Sequence, residues 1–215
     1  MNINVQLDSS EENKFFDKTQ NREVCETFYE SGKLKERWTQ KGGKLHGLYM
    51  SYFESGAIEH KINHVAGKED GTFESYFENG QLEAKGTNKA GYHDGDWVRY
   101  YASGQVFFKV TFIKDKENGI SQCFHENGKL ATETFYQEGL LHGSYSKFYE
   151  NGTLEATREY QSGEQNGPQV TYYTNGSIEE TVDFLKGHPH GVWSCYDEQG
   201  SLVETRLYDN GQVVE

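Results

Sequence analysis

A chain of 215 residues with 34% hydrophobic content and a mean hydropathy of -0.88 has too few aliphatic side chains for a large sandwiched core. Its 14% of aromatic residues in turn excludes a disordered polymer, since disordered chains are aromatic-poor. With 34 acidic against 21 basic residues the net charge is -13, which argues against nucleic acid and anionic lipid as partners and in favour of a basic protein.

The chain opens with residues 1–22, polar and charged (Asp8, Glu11, Glu12, Lys14, Asp17, Lys18), which read as a leader or as a short cap around Phe15-Phe16. They lack the basic and apolar segments of a secretory signal, and no apolar run approaches the ~18 residues of a membrane span. Three scattered cysteines, Cys25, Cys123 and Cys195, form neither a disulfide framework nor a zinc spacing, so a reducing, cytoplasmic setting is expected.

From residue 23 to residue 215 the sequence repeats. Gly32, Gly56, Gly80, Gly104, Gly128, Gly152, Gly176 and Gly200 recur every 24 residues without an insertion or deletion. Gly47, Gly71, Gly95, Gly119, Gly143, Gly167 and Gly191 form a second ladder of the same period. A third comprises Gly43, Gly67, Gly91, Gly139, Gly163, Gly187 and Gly211, broken only at Asp115. Only Gly42 and Gly86 lie outside the three ladders, so glycine marks register here.

Between the second ladder and the next step of the first lies a β-rich run, such as Phe73-Glu74-Ser75-Tyr76-Phe77, Trp97-Val98-Arg99-Tyr100-Tyr101 and Tyr145-Ser146-Lys147-Phe148-Tyr149, each read as a strand. Glu-Asn-Gly or Glu-Ser-Gly then reverses the chain in most copies, and Asn-Gly predicts a two-residue type I′ hairpin turn. An aliphatic residue follows each turn (Leu34, Ile58, Leu82, Val106, Leu130, Leu154, Ile178, Leu202), and six residues later usually an aromatic: Phe112, Tyr136, Tyr160, Phe184 or Tyr208. That register sets Phe77 opposite Leu82, Trp97 opposite Val110 and Tyr160 opposite Gly143, an aromatic covering bare backbone. The predicted architecture is all-β: about eight tandem 24-residue hairpins forming one elongated, twisted antiparallel sheet.

Alternation puts Trp97, Arg99 and Tyr101 on one face and Val98 and Tyr100 on the other. The row with Trp97, Phe77, Leu82 and Tyr160 is the expected packed spine. The opposite row, Tyr52, Tyr76, Tyr100, Phe124, Phe148, Tyr172 and Tyr196, is the candidate partner-binding surface, against the alternative that it packs only on its neighbours. Glu54, Glu78, Glu126, Glu150 and Glu198 recur at the strand-to-turn junction, either a solvated turn or an acidic stripe for a basic partner.

No enzyme is expected. Periodic carboxylates lack the single special constellation that catalysis needs, no phosphate-cradling glycine loop occurs, and no cofactor is implied. No metal is expected either: His46, His142 and His190 share one repeat position before the second-ladder glycine and read as turn residues. The fourth repeat departs most, with Ser121 and His125 in place of aromatics and Asp115 in place of glycine, and the last carries Asp197. That fourth copy reads as a bend or a contact site.

The pattern carried best by residues 95–104 and by Gly143-Ser144-Tyr145-Ser146-Lys147-Phe148-Tyr149-Glu150-Asn151-Gly152-Thr153-Leu154 resembles the MORN-repeat variant of the bacterial YwqK-family antitoxins, over about Glu23 to Glu215. The resemblance implies a hairpin-repeat fold and neutralisation of a partner toxin by binding it. A second reading is a membrane- or envelope-associated MORN scaffold, which the charge disfavours, and a third is self-association through open sheet edges.

Overall fold

The computed structural model describes residues 12–17 and 21–214. As expected for an open antiparallel sheet, every described element of regular structure is a strand, 21 in all, and every pair is antiparallel. The chain divides into two compact units, Met1–Gly104 and Gln105–Glu215.

The first unit holds β1 (Glu12–Asp17), β2 (Arg22–Phe28), β3 (Leu34–Lys41), β4 (Lys44–Tyr52), β5 (Ile58–Val65), β6 (Lys68–Tyr76), β7 (Leu82–Lys89), β8 (Tyr92–His93) and β9 (Gly95–Tyr100). β1 lies beside β2, with Phe15 opposite Val24 and Phe16 opposite Glu23. The rest of the leader, residues 1–11 and 18–20, is outside the described residues.

The second unit holds β10 (Val106–Ile113), β11 (Lys116–Glu117), β12 (Gly119–Phe124), β13 (Leu130–Gln137), β14 (Leu140–Phe148), β15 (Leu154–Gln161), β16 (Glu164–Gln165), β17 (Gly167–Tyr172), β18 (Ile178–Leu185), β19 (His188–Tyr196), β20 (Leu202–Asp209) and β21 (Gln212–Val213). In both units the strands run as a meander, the long strands pairing in chain order, with β9, β12 and β17 pairing past the short β8, β11 and β16 to β7, β10 and β15.

The glycine ladders do three different jobs, and one expectation is corrected. At the first ladder the loop has three residues, not two: Gly80 N–H donates to the Phe77 carbonyl at 2.8 Å and Phe77 N–H to the Gln81 carbonyl at 2.8 Å. Gly80 is left-handed (φ +82°) while Glu78 and Asn79 are not, the signature of a type I turn closed by a glycine bulge. Tyr76, rather than Phe77, therefore faces Leu82.

A bulge at Glu83 then restores the expected register, so Ser75 meets Ala84, and in the equivalent hairpin Gly143 meets Tyr160 as predicted. The same aromatic cover recurs in Gly119 with Tyr136, Gly167 with Phe184 and Gly191 with Tyr208.

The type I′ turns sit instead at the third ladder. Ala66-Gly67 (φ +52° and +86°) and Ala90-Gly91 (φ +55° and +91°) have both central residues left-handed. Lys114-Asp115 adopts the same shape (φ +50° and +64°), because a short polar Asp tolerates the left-handed region better than most side chains. The broken glycine at Asp115 thus leaves the turn intact. Second-ladder glycines lie in bulges of the outgoing strand, where Gly71 (φ +116°) is bypassed as pairing jumps from Ile62–Phe73 to His64–Glu69.

One face of the sheet is more covered. In the first unit it buries Ser51, His64, Ser75, Ala84, Asn88 and Trp97, and in the second Val110, Ser121, Ala156 and Val182. Small side chains at the turn end of this face leave room for Tyr49, Phe73 and Trp97 to lean on their neighbours, and the Phe73 and Trp97 rings stand 5.0 Å apart. The opposite face, called here the open face, carries the exposed residues Thr72, Asp96, Ile120, Ser144, Pro168 and Val192.

Candidate interaction surface

The predicted binding row lies on the open face, and Tyr52, Tyr76, Phe124, Phe148, Tyr172 and Tyr196 each stand opposite the aliphatic residue of their own hairpin. Tyr52 faces Ile58, Phe124 faces Leu130, Phe148 faces Leu154, Tyr172 faces Ile178 and Tyr196 faces Leu202. Tyr100 lies on the same face of the first unit as Tyr52 and Tyr76. All seven are half-buried. Each ring is partly covered and partly exposed, the condition of an aromatic that can serve both packing and contact.

Cations decorate this row. Lys61 Nζ lies 4.9 Å from the Tyr76 ring centre and 3.0 Å from its hydroxyl, which donates to Glu74 Oε2 at 2.5 Å. Its pKa is raised, first by the Tyr76 hydroxyl and then by the nearby Glu74. Lys109 Nζ sits 5.3 Å from the Phe124 ring centre. A shallow depression of about 230 Å³ on the same face is walled by Thr72, Glu74, Lys85, Thr87, Asp96 and Val98.

The edge carrying the first-ladder turns is bonded from one repeat to the next. Tyr29 Oη donates to the Tyr52 carbonyl at 2.6 Å, Tyr149 Oη to the Tyr172 carbonyl at 2.7 Å and Tyr173 Oη to the Tyr196 carbonyl at 2.8 Å. His125 takes the place of tyrosine in the fourth repeat, its Nε2 lying 2.9 Å from the Phe148 carbonyl. Asn127 Nδ2 reaches the Glu150 carbonyl at 2.8 Å while its Oδ1 accepts from Lys129 N–H at 2.9 Å, so the turn asparagines bind their own loop and the next one. Asp197 accepts from Gln199 and Ser201 N–H groups at 3.0 and 2.8 Å, capping its own turn. The departures at His125 and Asp197 therefore preserve the edge.

Exposed carboxylates line that edge: Glu30, Glu54 and Glu78 in the first unit, Glu126, Glu150 and Glu198 in the second. Nearby carboxylates also act on the tyrosine ladder. Partial desolvation, then Glu59 and Glu54, raise the Tyr29 pKa, and desolvation followed by Glu179 raises that of Tyr173. The row of exposed carboxylates makes this edge favourable to cations.

The histidines before the second-ladder glycine hold turns together. Nδ1 of His46 lies 3.4 Å from Ala66 N and that of His142 3.4 Å from Ser162 N, joining each hairpin to the next. His190 Nδ1 is 3.5 Å from Asp209 Oδ1. Among the described residues no three His, Cys, Asp or Glu side chains converge as metal ligands, and the three cysteines are free thiols.

Sequence reasoning missed a second row on the open face, at the other end of the same strands. Its cross-strand pairs in the second unit are Ile120–Phe135, Ser144–Glu159, Pro168–Asp183 and Val192–Leu207. Variation from copy to copy hides this row, whereas constancy reveals the ladders.

The MORN repeat variant family matches residues 24–41, 69–88, 94–114, 117–138, 141–162, 165–186 and 189–215, well over half of the sequence. This chain belongs to the MORN repeat variant family. Residues 42–68 fall between matched segments, yet this MORN hairpin keeps the shared register, with Gly47 opposite His64 and Tyr52 opposite Ile58. The repeats place the chain among repeat-based interaction scaffolds, in which function is carried by a surface rather than by the fold. No curated protein matches the chain. A solved structure described as "Crystal Structure of TcdB2-TccC3-Cdc42" aligns with 89% of this chain and 13% of that one, at 11% identity and a TM-score of 0.24. This chain thus spans about an eighth of that protein, and the likeness carries no argument.

Proposed function

We propose that this MORN-repeat chain is a non-enzymatic protein–protein interaction scaffold that neutralises a basic toxin by covering it, acting in the cytoplasm as an antitoxin or immunity protein. The observation that supports this reading is the pairing of a half-exposed aromatic row with unbalanced acidic charge. Residues 105–215 hold 17 acidic against 8 basic side chains, and residues 159–215 hold 10 against 2. Acidic surroundings steer a cationic partner into contact, and aromatics supply contact area at small entropic cost.

The test is affinity capture from native lysate with the wild type and with a Tyr76→Ser/Tyr100→Ser/Tyr172→Ser variant whose melting shows it folded. Expected is one basic protein, retained by the wild type and lost by the variant, whose own toxic activity falls when the wild type is added back. A basic partner whose activity is untouched by binding contradicts neutralisation. Capture indifferent to the substitutions contradicts the aromatic face.

A further inference from the structure

The open face of residues 105–215 has a pattern more specific than acidic and aromatic. Along its turn side run the pairs Phe124–Leu130, Phe148–Leu154, Tyr172–Ile178 and Tyr196–Leu202. Four residues away along each outgoing strand, about 13 Å at a rise of ~3.3 Å per residue, and five along each bulged returning strand, lies the second row. Its ends are apolar: Ile120 is 58% and Phe135 39% exposed, and Val192 is 56% exposed opposite Leu207. Its middle is acidic, Glu159 opposite Ser144 and Asp183 opposite Pro168.

Exposed apolar pairs that adjoin an aromatic row extend a contiguous apolar surface, the kind that marks an interaction site. The two central carboxylates carry uncompensated charge, unlike Glu155, which pairs with Lys147 at 2.5 Å, and Glu204, which pairs with Arg206 at 2.8 Å. Neither Glu159 nor Asp183 has an ion-pair or hydrogen-bond partner for its carboxylate among the described residues. Glu159 instead lies over the bare backbone of Gly167, where an added Cβ would come within 3.1 Å of its own. The face is an apolar frame on three sides of an acidic floor.

Spacing identifies the shape of the occupant. Successive hairpins are two strands apart, about 10 Å, so the apolar arms are about 29 Å apart and the two carboxylates about 10 Å. An α-helix advances about 10.5 Å in seven residues and returns to nearly the same face. Four positions seven residues apart on one helix therefore fall on the four pairs of the second row in turn.

We infer that this face seats a basic amphipathic helix of about 22 residues, laid across the strands, with apolar residues at its first and last contact positions and Arg or Lys at the two between. The neighbouring flank of the helix rests on the row from Phe124 to Tyr196. A second copy of this chain does not fit: its charge over the same residues is of like sign, 17 acidic against 8 basic, and no helix occurs among the described residues. The inference rests on the basic-partner reading above and names the element recognised.

Fluorescence polarisation with synthetic helical peptides tests it. The probe is a 22-residue alanine-rich peptide with Leu at positions 1 and 22 and Arg at 8 and 15, and its controls are a scrambled peptide and one with both Arg changed to Glu. The wild type binds the probe at least tenfold more tightly than either control. A Glu159→Lys/Asp183→Lys protein reverses this order, losing the Arg probe tenfold and gaining the Glu peptide. Ile120→Ser/Val192→Ser weakens the probe at least fivefold without changing the preference for Arg over Glu.

Equal binding of probe and scrambled peptide, or a charge-swapped protein that gains nothing for the Glu peptide, overturns the inference. If the probe fails while the captured basic partner still depends on Tyr76, Tyr100 and Tyr172, the helix is wrong and the scaffold reading stands. Melting curves for each variant separate loss of binding from loss of fold.

Discussion

The Trp97 indole covers the backbone of Gly86 so closely that a Cβ there would overlap the ring. Its Nε1 donates to the Thr87 carbonyl at 3.1 Å, and His93 closes the far side with ring centres 4.1 Å apart. Gly86 is one of the two glycines outside the ladders and has no positive φ, so close approach rather than backbone conformation explains it. Gly86→Ala is expected to lower stability by about 1–3 kcal/mol through displacement of the indole. Urea melts followed by Trp fluorescence check this, and an unchanged midpoint with unchanged emission would contradict it.

Turn type can be tested at Glu78. In the three-residue loop Glu78 is the first central residue of a type I turn, where proline's fixed φ fits, whereas a two-residue Asn79-Gly80 loop would need the Glu78 N–H for pairing. Glu78→Pro is expected to be neutral or stabilising by up to about 1 kcal/mol. A loss above about 1 kcal/mol would favour the two-residue loop.

Ala90 is strained, at φ +55° in a type I′ turn, where its neighbour Gly91 is not. Ala90→Gly relieves a left-handed side chain costing about 1–2 kcal/mol and gives back part of that in unfolded-chain entropy. A net rise of about 0.5–1 kcal/mol in urea melts is expected.

These two turn types show what could and could not be read from sequence. The 24-residue period, the strands, the all-β fold and the cover of Gly143 by Tyr160 follow from spacing alone, since constancy over eight copies outweighs local ambiguity. Asn-Gly misled because it suits either loop: a type I turn with a glycine bulge needs only the glycine left-handed, and asparagine serves by hydrogen-bonding the next turn. The true type I′ turns were masked by Ala66, Lys114 and Glu138, side chains that rarely advertise positive φ. Residues of the proposed partner row were found by periodicity, while Ile120, Phe135, Glu159 and Asp183 break the period and needed the register to be placed on one face.

The tyrosine ladder predicts a graded loss. Tyr149→Phe removes the 2.7 Å bond to the Tyr172 carbonyl and leaves that acceptor half-buried, for a cost of about 1 kcal/mol. His125→Ala should cost at least as much, since it also removes ring packing. Equal stability of both variants with the wild type would mean that the ladder contributes nothing.

Glu117 is raised in pKa by burial alone, so the fold disfavours its charged form. Its contribution is fully present below the ordinary carboxylate range, where the group is protonated in both states, and is lost as pH rises through the raised folded value. Glu117→Gln should therefore raise the melting temperature at pH 7 slightly, since solvent screens a partly exposed group, and the difference should vanish near pH 4. A variant less stable than the wild type at pH 7 contradicts this.

The open face is the centre of the functional account, and calorimetric titration of the purified captured partner into wild type and into the Tyr76→Ser/Tyr100→Ser/Tyr172→Ser variant tests it most directly. The account predicts at least a tenfold loss of affinity in the variant with its melting transition retained. Unchanged affinity in a folded variant would show that the partner is held elsewhere.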